Sequence, residues 1–331
     1  MHPRTRPSRT RTGRAAAVLA AAALVVTACG GGGSGGQVGG GGEGSLAAVG
    51  LDGASFTVGS KEFTEQIILG EIAVQALEAA GADPAALATI TGSTNVRTAL
   101  TSGQLDMYWE YTGTGWSTHQ QKEVADAPRD EKELYDAVKQ ADAANGIAWL
   151  DAAPLNNAYA LAISKAKSDE LGITTMSQMA ELINSNPAQG KICAAAEFIT
   201  RDDGLPGVAR TYGFTVAPDG VAELELSLIP PETAKAEACT FGEVTVTDGA
   251  VSANDLVVLE DDKSTFVDYN LAMTVRQEVL DANPKLAEVF NPIAAKLTSE
   301  VMRGLNERVD VEGELPDEVA EQWLSENGFT G

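Results

Sequence analysis

Aromatic residues make up only 5% of this 331-residue chain, and histidine occurs twice. His2 lies in an arginine-bearing amino-terminal segment, which leaves His119 as the single imidazole beyond it. A Ser-His-Asp triad would have to use that one ring, and a multi-histidine metal site is excluded. No GxSxG elbow sits on a strand-to-helix turn and no GxxxxGK[ST] phosphate loop occurs, so neither hydrolase chemistry nor nucleotide hydrolysis is indicated. Basic residues are scarce as well. Lys and Arg number 23 against 47 Asp and Glu, a formal charge of −24 that excludes nucleic acid as a partner. Nothing that remains requires a cofactor or a metal.

Five of the arginines, Arg4, Arg6, Arg9, Arg11 and Arg14, precede an apolar run from Ala15 to Val26 that ends in Val26-Thr27-Ala28-Cys29. The run is too short to span a bilayer, which takes ~20 apolar residues. Small residues before a cysteine are what a lipoprotein signal peptidase requires, and the tetrapeptide resembles a bacterial lipobox. Residues 1–28 therefore read as a signal peptide and Cys29 as the lipidated first residue of the mature chain. That places the protein outside the cell, held by lipid to the outer face of the membrane; a retained signal anchor with a chance cysteine is the other reading. Cleavage would lower the formal charge to −29, since the segment holds five arginines and no acid.

Residues 29–54 read as a glycine-rich tether that buries nothing and is costly to order. The fold is expected to begin near Ser55, and the remaining ~275 residues suffice for two lobes. Cys193 and Cys239 are the other two cysteines. In an exported chain that even remainder permits a disulfide, worth about 4 kcal/mol by loop closure, with two buried free thiols as the alternative.

Along the chain, SFTVGSKEFTEQIILGEIAVQALEAAG predicts strand, loop and helix, with Thr64 as the cap and Gly81 as the stop. Lys61 then stands just ahead of a helix amino terminus, a place suited to an anion. A second strand near Thr89-Ile90 and a helix from Ser93 or Thr94 follow. Leu105, Met107 and Trp109 alternate with Asp106 and Tyr108, again a strand. Strands alternating with helices predict an α/β sheet whose ligands gather at strand carboxyl ends, where Tyr111-Thr112-Gly113-Thr114 falls. LNNAYALAIS predicts a further strand, and Pro284, Pro292 and Pro316 each mark a helix start. No second linker is visible, so the chain is expected to cross between its lobes more than once.

Two sets of residues could carry recognition. Tyr111, Tyr159 and Tyr269 occupy loop-like positions, and tyrosine faces attract a quaternary ammonium at ~0.5–2 kcal/mol per ring; each could equally be an ordinary half-buried tyrosine. Lys61 and Arg201, with Thr114 and Ser60, could hold a carboxylate; a surface ion pair with Asp202 or Asp203 is the alternative for Arg201.

Order and spacing add a resemblance. The runs GSKEFTEQIILGEI, GSTNVRTALTSGQLDMYWEYTGT, LNNAYALAI, EFITRDDGLPGVARTYGF and LVVLEDDKSTFVDYN resemble, in this order, the substrate-binding proteins of osmoprotectant ABC importers, which take glycine betaine, choline, carnitine or proline betaine. The resemblance covers about Phe56 to Phe329. It implies an α/β, two-lobe fold of the type II periplasmic-binding-protein kind, with a two-stranded hinge and a ligand cleft. Lobe 1 would comprise residues 55–155 plus 266–331, and lobe 2 residues 156–265. Carried over by position, the resemblance implies cage tyrosines at Tyr111, Tyr159 and Tyr269, carboxylate-holding Lys61 and Arg201, a helping Thr114 and a backbone contact near Asn157. Where relatives place another cage tyrosine in Tyr-Ser-Thr-Asp-Gly, this chain has Thr245-Val246-Thr247-Asp248-Gly249. The cage would then be open at Thr245, completed by Trp116, or shaped for a larger betaine. The implied role involves no chemistry on the ligand: capture of a small quaternary-ammonium solute and delivery to a membrane permease with a separate cytoplasmic ATPase. A sensory lipoprotein of the same fold is the second reading, and a choline-ester hydrolase the third.

Overall fold

Phe56 and Val58 are buried on one side of a short extended run, and the residues after them switch from a period of two to a helical period. The computed structural model describes residues 44–331 apart from Pro84 and Pro218. In it, β1 (Thr57–Ser60) leads through three residues into α1 (Thr64–Ala79), whose Ile68, Leu69, Ile72 and Leu77 are buried. Gly81 ends this unit with a φ of +93°, a conformation that glycine adopts without a Cβ penalty. Phe63, not Thr64, holds the cap position; the Thr64 hydroxyl instead donates to Asp310 at 2.6 Å.

Two five-stranded sheets follow one plan. The first runs β2 (Ala86–Thr89), β1, β3 (Met107–Tyr111), β10 (Asn270–Arg276), β4 (Ile147–Asn156). The second runs β7 (Val221–Glu223), β6 (Ile192–Ala194), β8 (Phe241–Thr245), β5 (Tyr159–Ser164), β9 (Leu256–Val258). In each, three parallel strands meet an antiparallel fourth, which pairs antiparallel with a fifth. Strands β5–β9 all lie between β4 and β10 in sequence, so the chain leaves the first sheet after β4 and returns for β10. At that crossing the Asn157 N–H donates to the Tyr269 carbonyl at 3.1 Å.

LNNAYALAIS is therefore not one strand. It is the end of β4, a two-residue crossing and the whole of β5. Alternation persists through an extended crossing, so the pattern does not register the change of sheet. β3 also departs from alternation: as an inner strand it is buried on both faces, and Met107, Tyr108, Trp109, Glu110 and Tyr111 are all inside. Pro316 opens the helix Pro316–Glu326 as expected, whereas Pro292 lies within the helix Leu286–Ala294.

The first sheet packs the larger core, with Trp109 edge-on to Phe290 at 5.9 Å and Trp149 fully buried. The second has a smaller core around Phe198, Phe241, Met176 and Met179, and beside it Cys193 of β6 is disulfide-bonded to Cys239, Cα atoms 5.5 Å apart.

Part of the stretch read as tether belongs to the fold. Ser45–Ala48 forms a 3-10 turn whose Ser45 and Leu46 N–H groups donate to Gly328 and Phe329, and Leu46 and Leu51 are 2% and 5% exposed. Those leucines supply the apolar area that the glycines around them lack. The signal peptide, the lipidated Cys29 and the rest of the tether lie outside the described residues. Among the described residues no helix is long and apolar enough to cross a membrane.

Candidate functional site

The residues singled out in sequence collect at strand ends where the two sheets face each other. Lys61 follows β1, Tyr111 ends β3 and Tyr269 precedes β10. Thr112–Thr114 then turns helical and continues as one π-helical turn, Gly115–His119. From the second sheet, Tyr159 opens β5 directly opposite Thr245 at the end of β8, and Arg201 closes the short helix Ala196–Thr200 that follows β6. The antiparallel β5–β8 pairing is what sets a strand's first residue beside another's last, on the same face.

The rings form two groups. Tyr159 stands edge-on to Tyr269 at 5.4 Å, 5.0 Å from Phe198 and 6.2 Å from Phe266, and the Arg201 guanidinium lies 5.6 Å from its centre. Tyr111 stacks with Phe63 at 6.5 Å, with the Lys61 ammonium 5.2 Å from its centre. Gly113 joins the groups: a Cβ there would meet the Tyr269 ring at 2.6 Å, so only glycine lets this backbone lie against it. Trp116 belongs to neither group. Its indole N–H donates to the Glu123 carbonyl and Lys122 covers its face at 4.1 Å.

Carboxylates organise the charges; of them the sequence names only Asp203, as an alternative ion-pair partner of Arg201, and that pair is present, though buried. The buried Lys61 ammonium donates to Glu110 at 2.7 Å, and the other Glu110 oxygen meets His119 Nε2 at 2.7 Å and the Tyr108 hydroxyl at 2.8 Å. Burial pushes the Glu110 carboxyl up, but Lys61 and His119 outweigh it and hold the group far below the usual carboxylate range. Tyr108, the ring with no role in the sequence, thus anchors this node.

Arg201 is held as firmly. Its Nε and Nη2 donate to the two oxygens of Asp203 at 2.8 and 2.5 Å, and Nη1 to Glu197 at 2.7 Å, while Thr114 and Ser117 hydroxyls lie 3.4 Å from Nη2. Asp203 also accepts from the Tyr269 hydroxyl at 2.5 Å and from Ser117 at 2.6 Å. Burial raises Asp203, and the Arg201 charge brings it below its ordinary value.

Asn157, at the crossing, uses its side chain. Its amide donates to Glu65 at 2.8 Å, and the same carboxyl accepts from Tyr111 at 2.7 Å and Asn306 at 3.0 Å and lies in hydrogen-bond contact with the Thr247 hydroxyl at 2.6 Å. Burial raises the Glu65 pKa against these four hydrogen bonds, and none of the four partners is a cation.

Glu65 and Glu110 were visible inside GSKEFTEQ and YWEYTGT, and Glu197 and Asp203 inside EFITRDDG. An acid flanked by Trp109 and Tyr111 in a buried strand was itself a signal that a partner exists. Phe63, Phe198 and Phe266 fall in the same runs and add rings to those expected.

This site sits in a chain with clear relatives. The substrate-binding domain of ABC-type glycine betaine transport systems matches residues 54–326. A glycine-betaine-binding protein of Pseudomonas aeruginosa is 36% identical over 288 residues, covering 85% of this chain and 91% of that protein. An ergothioneine transport permease/ergothioneine binding protein of Helicobacter pylori is 30% identical over 274 residues, covering 82% of this chain and 47% of that one. The solved structure of apo YehZ from Escherichia coli, 31% identical, superposes with a TM-score of 0.60 over 84% of this chain and 99% of that one. The chain belongs to the family of substrate-binding domains of ABC-type glycine betaine transport systems, a family of solute-binding proteins with two-lobed α/β folds.

Proposed function

We propose that this protein captures a small quaternary-ammonium solute between its two lobes, residues 55–155 with 266–331 and residues 156–265, and hands it to a membrane permease driven by a separate ATPase. In this reading the mature chain is exported and anchored to the outer face of the membrane through lipid on Cys29. The convergence of Tyr269, Phe198 and Phe266 on the Tyr159 ring carries the proposal. That ring already accepts a cation, the Arg201 guanidinium, as a trimethylammonium group would require. Tyr111 would supply a second wall, Lys61, Arg201 and Thr114 the polar end, and Asn157 the contact at the crossing. Thr245, paired with Tyr159, stands where a further ring would be.

The relatives named above differ in their ligands, so the test compares several. Isothermal titration of the purified protein with glycine betaine, choline, carnitine, proline betaine and ergothioneine should show saturable binding of at least one. Tyr159→Ala should weaken that binding tenfold or more, about the worth of one desolvated ring. A folded protein that binds none of the five, or a Tyr159→Ala variant that binds unchanged, would overturn the assignment.

A further inference from the structure

Arg201 can hold a ligand carboxylate by a paired, two-bond grip only if one of its present partners yields. Asp203 is fixed: it is 5% exposed, grips the guanidinium through both oxygens and is tied to Tyr269 and Ser117. Glu197 is different. It lies one helical turn before Arg201, its side chain is 28% exposed, and it makes a single bond to the guanidinium.

The other Glu197 oxygen reaches across to the first sheet's half. It accepts from the Ser93 N–H at 3.2 Å, at the amino end of the nine-residue helix α2 (Ser93–Thr101). Burial would raise its carboxyl, yet the Lys61 and Arg201 charges together hold it below the ordinary value. One carboxylate of the chain thus sits where two cations and a helix amino terminus act together, the environment that a betaine's carboxylate would need.

We propose that Glu197 is a specificity-determining residue, an internal carboxylate that occupies the anion-recognising end of the site and sets the preference between purely cationic and zwitterionic quaternary amines. The inference rests on the reading of the site as a quaternary-amine binder. A ligand such as choline leaves Glu197 in place and gains from its negative charge. A ligand such as glycine betaine must displace Glu197 from Arg201 and Ser93, and so competes with a carboxylate already present at high effective concentration.

The experiment is parallel titration of wild type and Glu197→Gln with choline and with glycine betaine in one buffer. The ratio of the two dissociation constants should move toward glycine betaine by about tenfold or more, through tighter betaine binding, weaker choline binding or both. Glu197→Ala should move it the same way and serves if the glutamine variant is poorly folded. Equal changes for the two ligands, or an unchanged ratio, would overturn the role of Glu197 while leaving the quaternary-amine reading intact. Wild-type protein that binds neither these two nor other quaternary amines would remove that reading and this inference with it.

Discussion

Glu110 and Glu65 are both buried, 0% and 3% exposed, and both accept a hydrogen bond from Tyr111, Glu110 from its backbone N–H and Glu65 from its hydroxyl. Their charges run in opposite directions. Lys61 and His119 keep Glu110 ionised, whereas Glu65 has only neutral donors and is pushed upward by burial. Equal burial with opposite titration means that the partner, not the depth, decides the charge. A proton count supports the neutral state of Glu65. The Thr247 hydroxyl lies 2.6 Å from both Glu65 Oε2 and Asn157 Oδ1 but has one proton to give. A protonated Glu65 supplies the missing one, and turning over the Asn157 amide only moves the need for it to Oε1.

The largest test of this contrast removes the cation. Lys61→Met should cost about 3–5 kcal/mol in urea unfolding, because Glu110 is left charged without its ammonium. The double variant Lys61→Met/Glu110→Gln should recover most of the loss. A single variant that costs no more than an exposed ion pair would break the comparison.

Glu243 extends the contrast to the second sheet. It is buried with one hydrogen bond, from the Ala195 N–H at 2.7 Å, and burial pushes it up to about 8. Its folded value lies above its unfolded one, so the folded state binds the extra proton between about pH 4.5 and 8. Stability should fall across that window as pH rises, by at most ~1.4 kcal/mol per pH unit from this group. Glu243→Gln should flatten the slope in thermal unfolding at pH 5, 6, 7 and 8, and a variant that tracks wild type at every pH would discard the assignment.

The smallest effect belongs to Glu65→Gln. The amide replaces a protonated acid and loses the acceptor for Asn306, and because a carboxyl raised on folding loses stability as pH climbs above its unfolded value, the cost should be about 1 kcal/mol near pH 5 and shrink as pH rises. A cost that stayed level from pH 5 upward would mean that the wild-type carboxyl is charged.

The sequence carried the strand-helix order, the rings and the two cations, because each stands in a local pattern or a recognisable run. It carried little of what binds those groups. Glu65 takes its donors from positions 111, 157, 247 and 306, and no local pattern reveals a partner 241 residues away. The start of the fold was hidden for the opposite reason: glycine dominates the stretch before Ser55, and two leucines that pack are easily lost in it. What requires glycine at position 113 is the Tyr269 ring, a group that no local pattern shows.

The place of β10 between β3 and β4 bears on how the chain is made. Until Arg276 has emerged, the first sheet exists only as two pieces, a three-stranded parallel part and a lone β4. Every strand of the second sheet, and both cysteines, have appeared by Val258. A chain extruded amino end first can therefore close its middle before its beginning, and the half that is synthesised first waits longest for the strand that completes it.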